Sequence, residues 1–265
     1  MIEVTRLFVV RHGETAWNVD QRVQGQLDVP LNANGRRQAA RLVQALAGEG
    51  IEAIYSSDLL RASETAAALA HAIGLPLQTD PGLRERAFGH FEGATFTEIE
   101  QRWPDDAKRW RRRDPDFAPG GGEVLRAFYA RSVETATRLA GRHPGQTVAL
   151  VAHGGVLDCL YRAAVHIDLQ APRTWQLGNA SINRLLYTEQ GLAMVGWNDN
   201  GHLDPASPTG PSEAPAPTRA SRHGSGSAGP SADGPPGGPS PDADGPVDRS
   251  CLARGRATGP ARPAR

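Results

Sequence analysis

The chain has 265 residues, with 29 lysines and arginines against 29 aspartates and glutamates, so no net charge draws it toward nucleic acid or an anionic membrane. Its 2 cysteines, Cys159 and Cys251, form neither a disulfide framework nor a metal-ligand spacing, and no apolar run approaches the roughly 20 residues that cross a bilayer. From Met1 to Arg6 the chain runs straight into an apolar segment, without the order of basic, apolar and cleavage-site residues of a secretory signal, so a cytoplasmic location is expected.

Composition changes near residue 204. Residues 1–203 mix apolar, charged and turn residues as a packed domain does, whereas 204–265 are dominated by Pro, Gly, Ser and Ala and are expected to form a disordered tail. Lys108 is the only lysine, so nearly all positive charge is arginine.

The run 6–10 is short, rich in β-branched residues and apolar after Arg6, as suits a strand buried on both faces. Residues 35–47 carry Ala39, Leu42, Val43 and Leu46 at helical spacing, with Gly48 and Gly50 as stop signals. The pattern repeats with a strand at 53–55, Asp58 as expected N-cap, and an Ala-rich helix over 59–73 that ends at Gly74. Helices are expected over 96–102, 105–112 and 123–140, then a strand at 147–151 and a helix at 156–164. Two late strands, 182–187 and 192–197, flank a turn at Gln190 and Gly191. Such alternation predicts an α/β sandwich whose ligands bind beyond the carboxyl ends of the strands.

Two of those strand ends carry similar chemistry. Val9 and Val10 lead into Arg11, His12 and Gly13; Leu150 and Val151 lead into Ala152, His153, Gly154 and Gly155. A lone histidine after a strand is more often a capping or surface residue than a working one. Here two arise in the same way, and a third strand end supplies Arg61, one helical turn beyond Asp58.

Arg11, His12, Gly13, Glu14 and Thr15 with Asn18 resemble the signature of the histidine phosphatase and phosphoglycerate mutase superfamily. The similarity continues through Gln24, Gly25, Asp28, Pro30, Leu31, Asn32, Gly35 and Gln38, and through Ser56, Ser57, Arg61, Ala62, Thr65 and Ala66. Further on it takes in Leu83, Arg84, Glu85, Gly89, Phe91, Glu92 and Gly93, then Gly121, Gly122, Glu123 and Arg131. It closes with His153, Gly154, Gly155, Asn179, Ser181, Asn198, His202 and Leu203.

The resemblance implies a three-layer sandwich around a mostly parallel sheet, of the phosphoglycerate mutase-like kind, and a metal-independent hydrolysis of small phosphate monoesters. It implies that His12 attacks phosphorus and becomes a phosphohistidine, that Glu85 acts as proton donor and then base, and that Arg11, Arg61 and His153 complete the catalytic set. The phosphorylated metabolite would be held by Arg11, Asn18, Gln24, Gly25, Arg61, His153 and Gly154. No metal, cofactor, nucleic-acid or membrane partner is implied, since phosphoryl transfer mainly needs positioning and stabilisation of charge on three oxygens. The neighbouring arginines are expected to disfavour protonation of His12, and an acidic to neutral optimum is expected.

A phosphoglycerate mutase is the nearest alternative. The compact stretch 87–152 lacks a long insertion typical of cofactor-dependent mutases, and Thr95 and Phe96 stand where those place a lysine, although Trp110, Arg111 and Arg112 resemble the mutase lid. A non-catalytic phosphate-binding scaffold is disfavoured because every matched catalytic position is occupied. The basic run of Lys108, Arg109, Arg111, Arg112 and Arg113 reads either as a solvated helix face or as a lid that recruits anionic substrates. Trp103, Trp110 and Phe117 read either as pocket lining or, as is commoner for aromatics at helical spacing, as core, and His71, His90, His143, His166 and His202 have no catalytic role to fill. The particular ester and the oligomeric state stay open.

Overall fold

The computed structural model describes residues 3–204. The expected tail lies, beyond Asp204, outside the described residues. Six strands form one sheet: β1 (Thr5–Arg11), β2 (Ala53–Ser56), β3 (Leu77–Thr79), β4 (Thr147–Ala152), β5 (Ile182–Thr188) and β6 (Gly191–Asp199), in the order β3-β2-β4-β1-β5-β6. The pairs β3–β2, β2–β4 and β4–β1 are parallel, and β5 alone runs against the rest.

Period-two alternation on β1 divides the core between the two faces. Leu7 and Val9 pack with Leu139, Leu157 and Leu160, while Phe8 and Val10 pack with Leu42, Leu46, Ala66 and Leu69. A strand buried on both faces cannot alternate with polar residues, which is why β1 and β4 read as unbroken apolar runs. One face is covered by α2 (Ala33–Leu46) and α3 (Leu60–Ile73), the other by α6 (Leu125–Ala140) and α7 (Gly154–Val165), giving the expected three layers.

Three details depart from the sequence reading. Asp58 does not cap α3: Leu59 holds the cap position, and Asp58 instead accepts two hydrogen bonds from the Arg84 guanidinium at 2.7 and 2.5 Å. The helix expected from Glu123 begins at Leu125, and Glu123 forms a bidentate pair with Arg131 at 2.9 and 2.8 Å. The edge strand β3 and the one-turn helix α1 (Ala16–Val19) were not foreseen, both being too short to show a period.

The chain between β3 and α6 carries α4 (Phe96–Arg102) and α5 (Pro104–Arg111) around a third, smaller core of Val23, Phe88, Phe91, Ile99, Trp110 and Phe117. Trp110 and Phe117 are buried there as expected, and Trp103 packs against the cluster. Four members of the basic run around Trp110 face acids: Lys108 with Asp105 at 2.9 Å, Arg109 with Asp114 at 2.8 Å, Arg111 with Glu100, and Arg113 with Asp158 at 2.6 Å. Asp158 also receives Arg162 at 2.9 Å, so one buried carboxylate joins the end of the α5 segment to α7. Among the described residues no helix is long and apolar enough to cross a membrane.

Candidate active site

Parallel pairing of β1 with β4 sets Arg11 opposite Ala152, and the His12 N–H donates to the Ala152 carbonyl at 2.9 Å. The residues that follow each strand therefore leave the sheet side by side, and the His12 and His153 rings have centroids 5.3 Å apart. His153 caps the N-terminus of α7 with extended backbone, so the first turn of that helix, with its positive dipole end, opens where the histidines meet. Arg61 arrives from the first turn of α3, just after β2, the other neighbour of β4.

His12 is 3 % exposed, and its Nδ1 lies 2.7 Å from its neighbour's carbonyl oxygen, that of Gly13. A carbonyl only accepts, so Nδ1 carries the proton and Nε2 keeps the lone pair. Burial holds the His12 pKa well below the ordinary histidine value, with Arg61 and then Arg11 adding to the effect and the Gly13 hydrogen bond opposing it. His153 is fully buried and likewise held low, first by burial and then by Arg61, His12, Arg11 and Arg131. Neither of its ring nitrogens has a protein hydrogen-bond partner. Both rings are thus neutral at neutral pH.

Arg61 is 1 % exposed and donates to the Leu27 and Gly25 carbonyls at 2.9 and 2.7 Å, while an Arg11 Nη1 donates to the Leu177 carbonyl at 2.5 Å. Burial draws the Arg61 pKa down to about 10, against the pull of Glu85, Asp28 and Glu92, so the guanidinium stays charged at neutral pH. The two carbonyls orient the Arg61 guanidinium without cancelling its charge.

The Glu85 carboxylate accepts the Gly155 N–H of α7 at 2.9 Å through one oxygen and the Arg86 N–H at 2.8 Å through the other. A Cβ on residue 155 would stand 2.3 Å from Glu85 Oε1, so glycine is what lets the carboxylate seat against the helix end. Asn18 Oδ1 accepts from Thr15, and the Asn179 amide donates both to that oxygen at 3.2 Å and to the His12 carbonyl at 3.1 Å.

One pocket is lined by Arg11, His12, Asn18, Gln24, Gly25, Arg61, Glu85 and Gly154. The structure brings together every residue singled out for the site, with His153 packed against His12 behind that lining. It adds Phe88, which also lines the pocket. An aromatic three positions after Glu85 gave no chemical signal in the sequence, because its contribution is a wall.

The family model of the histidine phosphatase superfamily (branch 1) matches residues 7–200. This chain belongs to the histidine phosphatase superfamily. The chain is 39% identical over 209 residues to phosphoglycerate mutase-like protein 4 of Arabidopsis thaliana, covering 77% of this chain and 89% of that protein. It is 36% identical over 204 residues to the metal-independent phosphoserine phosphatase of the same plant, covering 76% and 84%. Among solved structures, a mycobacterial glucosyl-3-phosphoglycerate phosphatase in complex with VO3 superimposes with a TM-score of 0.66 at 35% identity, covering 74% of this chain and 99% of that one. The histidine phosphatase is a phosphoric monoester hydrolase.

Proposed function

We propose that the protein hydrolyses small phosphate monoesters through a phosphohistidine on His12, without a metal. The observation that carries this reading is the His12 tautomer: Nδ1 is committed to the Gly13 carbonyl, which leaves Nε2 as nucleophile in a pocket shared with two arginines and a carboxyl group. Nε2 attacks phosphorus while the bond to the ester oxygen breaks, and that oxygen takes the proton of Glu85. Water then attacks the phosphohistidine, gives its proton to the Glu85 carboxylate, and the nitrogen to phosphorus bond breaks to release inorganic phosphate. Arg11, Arg61, His153 and the start of α7 hold the phosphoryl oxygens, with Asn18, Gln24, Gly25 and Gly154 as auxiliaries.

The working unit in this reading is residues 1–203, and the relatives named for phosphoserine and glucosyl-3-phosphoglycerate hydrolysis support a small phosphorylated metabolite as substrate. Because His12 stays neutral well below the usual histidine value, activity persists into mildly acidic solution.

The test is release of inorganic phosphate from p-nitrophenyl phosphate and a panel of metabolite phosphates in the presence of chelator, with His12→Ala as control. Chelator-resistant release that the substitution abolishes is expected. Loss of activity in chelator would overturn the metal-free route. Migration of phosphate between positions of phosphoglycerate without release would establish a mutase instead.

A further inference from the structure

Glu92 takes no part in the chemistry proposed above, yet its side chain lies between two walls of the pocket. Its Oε1 accepts the Gln26 N–H at 3.1 Å and the Phe88 N–H at 2.9 Å. The first bond holds the 24–27 loop, whose Gly25 and Leu27 carbonyls grip the Arg61 guanidinium. The second holds the turn that follows Glu85. Gln26 closes the circuit, since its side-chain amide donates to the Glu85 carbonyl at 3.1 Å.

The approach is close. Gly25 has φ +52, and a Cβ there would stand 2.1 Å from Glu92 Oε1, so the loop reaches the carboxylate only with glycine at this position. Hydrogen bonds from backbone N–H groups to a charged oxygen are stronger than neutral ones, and a single oxygen that serves both segments ties them to each other as well as to itself. The Glu92 charge also offsets part of the effect of burial on Arg61.

We propose that Glu92 is a positioning residue of the reaction, a staple that sets the span between the Arg61 that grips the phosphoryl group and the Glu85 that protonates the leaving oxygen. This rests on the roles given to Arg61 and Glu85 under the proposed function. Proton delivery must coincide with in-line displacement, and a displacement of about 1 Å far from the chemistry can cost about 10²-fold in rate. Esters with poor leaving groups need that proton most. Loss of the staple therefore harms phenyl phosphate more than p-nitrophenyl phosphate, a bias that a loss of folded protein does not produce.

The experiment is steady-state kinetics on both esters, with thermal midpoints, for the wild type, Glu92→Ala and Glu92→Gln. Glutamine keeps an Oε1 acceptor for both N–H groups. Expected for Glu92→Ala is a fall in kcat of about 10²-fold on phenyl phosphate and about tenfold on p-nitrophenyl phosphate, with KM moving by less than about threefold. Glu92→Gln is expected to recover most of the loss. Equal losses on the two esters, a glutamine variant no better than alanine, or an alanine variant as active as the wild type would overturn the staple while the phosphatase reading stands. Wild-type protein that released no phosphate from either ester would overturn both.

Discussion

Arginines are held in two opposite ways. In the pocket, Arg61 donates to the Gly25 and Leu27 carbonyls. Around Trp110, Arg109, Arg111 and Arg113 each face a carboxylate. A carbonyl fixes a guanidinium and leaves its charge available, whereas a carboxylate fixes it and cancels that charge. Cationic character is therefore kept at Arg61, which stands apart in the sequence, and it is largely neutralised where the sequence shows a run.

The contrast is open to attack from both sides. Asp158→Ala should have the largest effect, because it strands the fully buried Arg162 and the nearly buried Arg113 without their shared partner. A loss of about 3–5 kcal/mol in urea unfolding is expected; a near-neutral result would mean that these charges need no partner. Arg61→Lys keeps the charge but loses the planar fork that reaches two carbonyls at once. It should lower kcat/KM by about 10²-fold, with little change in unfolding midpoint; wild-type turnover would show that charge alone suffices.

The third prediction concerns pH and follows from the two buried histidines. Both are held below the ordinary value, by burial first and Arg61 next. As pH falls through about 6.5, the unfolded chain takes up protons that the folded chain refuses. Stability present above that value is lost toward the lowered folded values, at about 1.4 kcal/mol per pH unit for each histidine. Urea midpoints measured from about pH 7.5 to about pH 5.5 without phosphate should show this slope, and His12→Ala should flatten part of it. A stability curve indifferent to pH over that range would contradict the neutral state given to the rings.

The smallest effect belongs to the run itself. Arg111→Ala, at an exposed pair with Glu100, should leave kcat/KM unchanged and move unfolding by less than about 1 kcal/mol. A marked rise in KM would instead make this face part of substrate capture.

Much of this arrangement was legible in the sequence. Unbroken apolar runs mark the buried strands, and the histidines placed directly after two of them, with Arg61 after a third, mark the pocket. What stayed hidden depends on partners remote in sequence. Asp58 has the chemistry of an N-cap, but Arg84 competes for it and wins with two charge-assisted bonds. Glu123 looked like the acidic start of a helix, yet its partner Arg131 lies two turns into that helix and draws the carboxylate away from the N-terminus. Phe88 and Glu92 act through packing and through backbone N–H groups, which leave no mark in residue identity alone.

The strand order also governs how the molecule is made. β1 is made before the other five strands, but both of its sheet neighbours, β4 and β5, come from the last third of the described residues. Until they emerge, the first histidine sits at the end of a strand with two open edges, the state most exposed to wrong pairing. When β4 pairs with β1 and β2 it joins them in one parallel sheet and, in the same event, sets His153 beside His12, with β5 still to cover the other edge of β1. Nascent chains that stop short of β4 thus lack the paired histidines, and the pocket is assembled late in synthesis.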